Sequence, residues 1–74
     1  MKRERVKLRT FGKKLKRIRN NYGLTQEKFA DELNISLDAV KNWEQGYNYP
    51  SIDMLVIIAD YFKCDFDYLI GQLY

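Results

Sequence analysis

Apolar residues recur along this chain at helical spacing in five separate segments. Phe11, Leu15, Ile18 and Tyr22 stand at i, i+4, i+7 and i+11, one stripe of a helix predicted over residues 10–22, with Gly23 as its stop. Phe29, Ala30 and Leu33 give a second, short helix an apolar face, and Val40 and Trp43 give a third its inward side. Thr25 and Ser36 precede these two helices. Each offers a side-chain oxygen to an orphan backbone N–H at the helix start. Asn34 sits where the chain must leave helix 2, and Asn tolerates the left-handed backbone such an exit needs. Gly46 ends helix 3, and residues 47–50 form a loop in which Pro50 holds its predecessor extended. Ser51 then caps helix 4, whose predicted inward stripe is Ile52, Leu55, Ile58, Ala59 and Phe62. Asp65 caps helix 5, which carries Phe66, Leu69, Ile70 and Leu73. Pieces this short are unstable alone, so the expectation is a compact all-α domain of five helices held together by packing.

Charge adds a division the apolar pattern does not show. Residues 1–9 have no apolar periodicity and read as a basic N-terminal arm, part of which is able to extend helix 1, ahead of a domain over residues 10–74. The net charge of +3 conceals an asymmetry. Residues 1–22 carry ten basic side chains against Glu4 alone, whereas residues 23–74 carry three against nine carboxylates. One end is therefore built to meet an anion, with Lys13 and Arg17 as phosphate-contacting candidates, and the other end would repel one. With 74 residues the chain has room for one small core. No apolar run approaches the roughly 20 residues of a membrane span, and the basic start is not followed by the apolar stretch of a signal peptide. The lone Cys64 closes no internal disulfide, which fits a cytoplasmic protein.

Residues 24–46 carry the most specific signal. Leu24-Thr25-Gln26, Ala30, the Trp43-Glu44-Gln45-Gly46 ending and the following Pro50-Ser51 stand in order and at the right spacing, preceded by the Leu15 to Arg19 stretch and followed by the helix 5 segment ending at Gly71. This arrangement resembles the lambda-repressor-like helix-turn-helix family of the XRE, or Cro/CI, type over most of the chain. Two departures stand out: Asn34 replaces the commoner Gly in the turn, and Leu37 and Asp38 stand where polar or basic residues are commoner. The resemblance implies a five-helix DNA-binding domain with helices 2 and 3 as the motif. It also implies base-edge contacts from Leu37, Asp38, Lys41 and Asn42. Asn pairs well with adenine and Lys with guanine or phosphate; Leu can touch a thymine methyl, and Asp can accept from cytosine. Asp38 fits equally as a first-turn charge favoured by the helix dipole. Gln26, at the start of helix 2, is implied to grip a phosphate, as are Gln45, Tyr47 and Asn48 after helix 3. Arg19 and Glu44 match a pair that bridges helices 1 and 3 in the family, a structural ion pair.

Catalysis finds little support. The chain has no His, one Cys is too few for a structural zinc site, and no Gly-rich phosphate loop or serine nucleophile motif appears, so no cofactor or metal is expected. The aromatic and apolar residues of the last two helices exceed what so small a core hides. Phe66, Leu69, Ile70 and Leu73 are accordingly expected at a homodimer interface. The resulting reading is a sequence-specific double-stranded DNA-binding transcriptional regulator, a repressor acting as a dimer. Its rivals are a protein-interaction module such as an antitoxin, and the DNA-binding fragment of a longer regulator.

Overall fold

The computed structural model describes the backbone of residues 2–71 and the side chains of residues 7–71. The described residues form five helices: α1 (Lys2–Asn21), α2 (Gln26–Leu33), α3 (Leu37–Gln45), α4 (Ile52–Tyr61) and α5 (Phe66–Ile70). α1 contributes Phe11, Leu15 and Ile18 to one core. Phe29 and Ala30 join from α2, Val40 and Trp43 from α3, Leu55, Ile58 and Ala59 from α4, Phe62 from the end of α4, and Leu69 from α5. At its heart Phe62 stacks on Phe29, with ring centroids 5.3 Å apart, and meets Tyr22 edge-on at 4.8 Å. The Tyr22 hydroxyl stays at the surface side and donates to the Phe62 carbonyl at 2.6 Å, so this half-exposed ring is pinned at its polar tip.

The caps behave as their chemistry predicts. Thr25, Ser36 and Ser51 each accept from the backbone N–H three residues on, at 3.0, 3.1 and 3.1 Å. Four helix ends close alike. Leu24, Ile35, Tyr47 and Cys64 each donate a backbone N–H to the carbonyl five residues back, and the residue before each is left-handed: Gly23, Asn34, Gly46 and Lys63. Three of these stops are visible in the sequence. Lys63 is not, because a lysine at φ 55° carries no turn signature. Asp65 occupies the cap position of α5 with an extended backbone, but its side chain makes no cap hydrogen bond.

Three expectations need correction. α1 begins at Lys2 and not near residue 10. Residues 2–10 contain neither Gly nor Pro and are rich in Arg, Lys, Glu and Leu, all good helix formers. Leu8, half-buried three residues before Phe11, adds a turn to the apolar stripe. The backbone of the basic segment is therefore continuous with the first helix of the domain. Ile52, expected in the core, is 71% exposed; α4 turns Leu55, Ile58 and Ala59 inward and leaves Ile52, Val56 and Ile57 outside. Leu69 is fully buried within this chain's own core and has no surface to give a second copy. Phe66 and Ile70 are half-buried against that core, and Leu73 lies outside the described residues.

α1 and α3 touch at Gly12. A Cβ there would stand 2.6 Å from the carbonyl oxygens of both Trp43 and Glu44, too close to backbone atoms that cannot swing aside. Gly12→Ala is expected to lower stability by about 1–3 kcal/mol through overpacking, even though Ala is the better helix former by about 1 kcal/mol. Urea denaturation checks this; a stabilised variant would mean the helices can separate freely.

Candidate nucleic-acid interface

α3 is nine residues long and is held at both ends. Ser36 closes its start, and Gly46, at φ 82°, closes its end. Val40 and Trp43 anchor its inner side in the core. What remains outward is Asp38 and Lys41, both exposed, with Leu37 and Asn42 half-buried beside them and exposed Gln45 one turn beyond Lys41. These include all four predicted base-contacting residues, so one face of one short helix presents a carboxylate, an ammonium, an amide and an apolar tip.

The orientation of that face is set by charge. Arg19 of α1 donates from Nε to Glu44 Oε2 at 2.6 Å and from Nη2 to Oε1 at 3.0 Å, a two-pronged pair whose side chains are only 7% and 3% exposed. The third arm of the guanidinium, Nη1, donates to the Leu24 carbonyl at 2.7 Å. Gln26 Nε2 donates to Glu44 Oε1 at 3.0 Å. One carboxylate thus gathers α1, the start of α2 and α3, and one guanidinium also holds the turn between α1 and α2. The predicted pair of Arg19 and Glu44 meets as expected. Gln26 gains a role the sequence did not disclose: one of its two amide hydrogens is spent on Glu44, which fixes the other at the helix start, where backbone N–H groups favour an anion.

The predicted phosphate contacts fall in two places. Gln45 and Tyr47 line a cleft of about 310 Å³ with Leu8, Arg9 and Gly46, and Asn48 is exposed just after it. Lys13 and Arg17 are exposed on α1 and line a second, smaller cleft with Thr10 and Lys14. Lys14 is not available there. It is buried, donates to the Tyr68 carbonyl at 2.6 Å and lies over the Tyr68 ring at 4.2 Å, tying α1 to α5. Arg9 was not singled out by the sequence, because an arm has no register. Once residues 2–21 are one helix, its place three residues before Gly12 carries it to the end of α3. Burial pushes the Cys64 thiol above its usual range, which favours the neutral, unreactive form.

The helix-turn-helix family model matches residues 15–69, from the middle of α1 into α5. The chain belongs to this family, of the XRE or Cro/CI type, a family of DNA-binding transcription regulators. It is similar to the HTH-type transcriptional activator BcrR of Enterococcus faecalis, 37% identical over 61 residues, which are 82% of this chain and 30% of that protein. It is 35% identical over 63 residues to the HTH-type transcriptional regulator ImmR of Bacillus subtilis, covering 85% of this chain and 50% of ImmR. The cryptic phage CTXphi transcriptional repressor RstR of Vibrio cholerae is 42% identical over 48 residues, 65% of this chain and 43% of RstR. The chain thus spans half or less of the length of these relatives. The compact five-helix architecture agrees with the lambda-repressor-like fold. No helix among the described residues is long and apolar enough to cross a membrane.

Removing either member of the Arg19–Glu44 pair strands the other charge out of water. Arg19→Ala and Glu44→Ala are each expected to lose about 3–5 kcal/mol, and the double variant clearly less than their sum. Additive losses in chemical denaturation would show that the pair contributes nothing as a unit.

Proposed function

We propose that this chain is a sequence-specific double-stranded DNA-binding regulator that reads the major groove with α3 and acts in the cytoplasm. The observation that carries this reading is the clamped, outward face of α3. Asp38, Lys41 and Asn42 project from a helix whose rotation is locked by buried Val40 and Trp43 and by Glu44 on Arg19. A major groove admits one α-helix, and base edges are told apart by such donors and acceptors. Gln26, Gln45, Tyr47, Asn48, Lys13 and Arg17 supply phosphate contacts that set register without reading sequence. Bound in this way the domain blocks its stretch of duplex to other proteins, so repression is the outcome it can deliver by itself. The relatives described above include a repressor, an activator and a regulator.

The chain pairs with a second copy in this reading, because one helix reads too few base pairs for useful discrimination and two-fold pairing doubles the readout. With Leu69 committed to the core, the exposed aliphatic surface among the described residues lies on α4, where Ile52, Val56 and Ile57 are open to a partner. An antitoxin-like role would use the same surface for a different protein; it is the second reading, favoured by that same exposed face.

Selection of bound sequences from a random duplex pool tests the function, and a two-fold symmetric site is expected. On that site Asn42→Ala should relax preference at one base pair per half-site by about 1–3 kcal/mol, while Gln26→Ala weakens all sequences alike. Identical base preferences for Asn42→Ala and the unaltered chain would show that α3 is not read as described. Val56→Lys should lower self-association and binding to the symmetric site together, with the fold intact by circular dichroism. Sedimentation showing a monomer both free and on that site would defeat the dimer.

A further inference from the structure

The cations of this chain are not equivalent. Arg19 is spent on Glu44, Lys14 on the Tyr68 carbonyl, and Lys28 lies 3.6 Å from Glu32 on α2. Arg9 is exposed and, among the described residues, no carboxylate pairs with it. It lines the cleft of about 310 Å³ together with Leu8, Gln45, Gly46 and Tyr47. Among the described residues the lining contains a guanidinium, a carboxamide and a phenol, and no acid. Tyr47 is 71% exposed, so its hydroxyl is open to a ligand.

We propose that this cleft is a phosphate site with Arg9 as its cation, and that it holds a backbone phosphate of duplex DNA beside the base pairs facing α3. The inference rests on the DNA-reading proposal above. Three features carry it further than charge alone. The first is rigidity. A Cβ at Gly46 would stand 2.9 Å from Arg9 Cγ and 3.1 Å from Arg9 Cα, so α1 is seated directly on the end of α3. Arg9 therefore rides on a helix, and little backbone entropy is lost when it takes a ligand. The second is placement. Gln45 stands one turn beyond Lys41, so the cleft continues the outward face of α3 at its far end, where a duplex lying along that helix passes its backbone. The third is the choice of donors. The Gly46 and Tyr47 N–H groups are used within the chain, on the Trp43 and Asn42 carbonyls. The end of a helix is also its negative pole. An anion there needs side-chain donors and a full positive charge, and the planar guanidinium provides both, gripping phosphate with two parallel N–H groups.

The test uses the full chain and two duplexes, the selected sequence and a scrambled one. Arg9→Gln should weaken both by the same factor, about tenfold for one lost charged hydrogen-bonded contact. It should reduce the slope of log affinity against log salt by about 1 and leave base preference unchanged. Tyr47→Phe should weaken both duplexes less, and Arg9→Lys should restore the slope but only part of the affinity. Thermal melts should match the unaltered chain, since Arg9 is exposed and holds no partner among the described residues. An unchanged salt slope in Arg9→Gln, with the unaltered chain still discriminating the two duplexes, overturns the cleft assignment alone. Absence of duplex binding by the unaltered chain overturns the DNA-reading proposal and this one with it. Inorganic phosphate distinguishes the source. Saturable amide shifts at residues 8, 9 and 47 on adding phosphate, with duplex affinity indifferent to Arg9→Gln, would make the cleft a site for free phosphate and overturn its assignment to the duplex.

Discussion

The outward face of α3 depends on one buried carboxylate. Glu44 sits on the inner side of α3 and accepts from a guanidinium of α1 and a carboxamide of α2. A helix of nine residues has few contacts with which to resist rotation or sliding. Val40 and Trp43 bury it, but apolar contacts alone tolerate small slips. A two-pronged ion pair does not, because its geometry is directional and its members are shielded from water. The close approach at Gly12 and Gly46 complements it: backbone sits against backbone there, and the pair is held at fixed range.

This makes α1 the frame of the domain. Along its length it meets the end of α3 through Gly12, Glu44 through Arg19, and α5 through Lys14 and the Tyr68 carbonyl. Its exposed side carries Arg9, Lys13, Lys16 and Arg17. The same helix therefore orients the outward face of α3 and presents positive charge beside it. The acidic residues concentrate from α2 onward, so the charge asymmetry of the chain becomes an asymmetry of the molecule with α1 at its positive side. Long-range attraction would then orient a polyanion before any specific contact forms.

Much of the fold was legible because its signals are local. An apolar stripe at helical spacing, a Ser or Thr before it and a Gly or Asn after it are properties of adjacent residues. They placed α2, α3 and α4 to within a residue or two. Local signals failed where a decision lay elsewhere in the chain. Lys63 takes a left-handed turn that its own side chain does not favour, because the packing of Phe62 and the bond from Cys64 to Ala59 impose it. Residues 2–9 lack periodicity but continue a helix, since good helix formers propagate from a stable helix at small cost.

By itself the sequence determined the order of the five helices, the hydroxyl caps of α2, α3 and α4, the family and the inward residues of α2 and α3, since spacing and end chemistry decide those. It also paired Arg19 with Glu44, through resemblance and not through geometry. Only the tertiary structure decided the rest. It showed that Ile52 faces out while Leu69 faces in, because a small core cannot take every apolar residue of the last two helices. It showed that Gln26 shares Glu44, and that Arg9 reaches the end of α3, because both depend on where two helices cross. Crossing points are set by shape over the whole core, through glycines such as Gly12 that permit contact, and no window of adjacent residues contains that information.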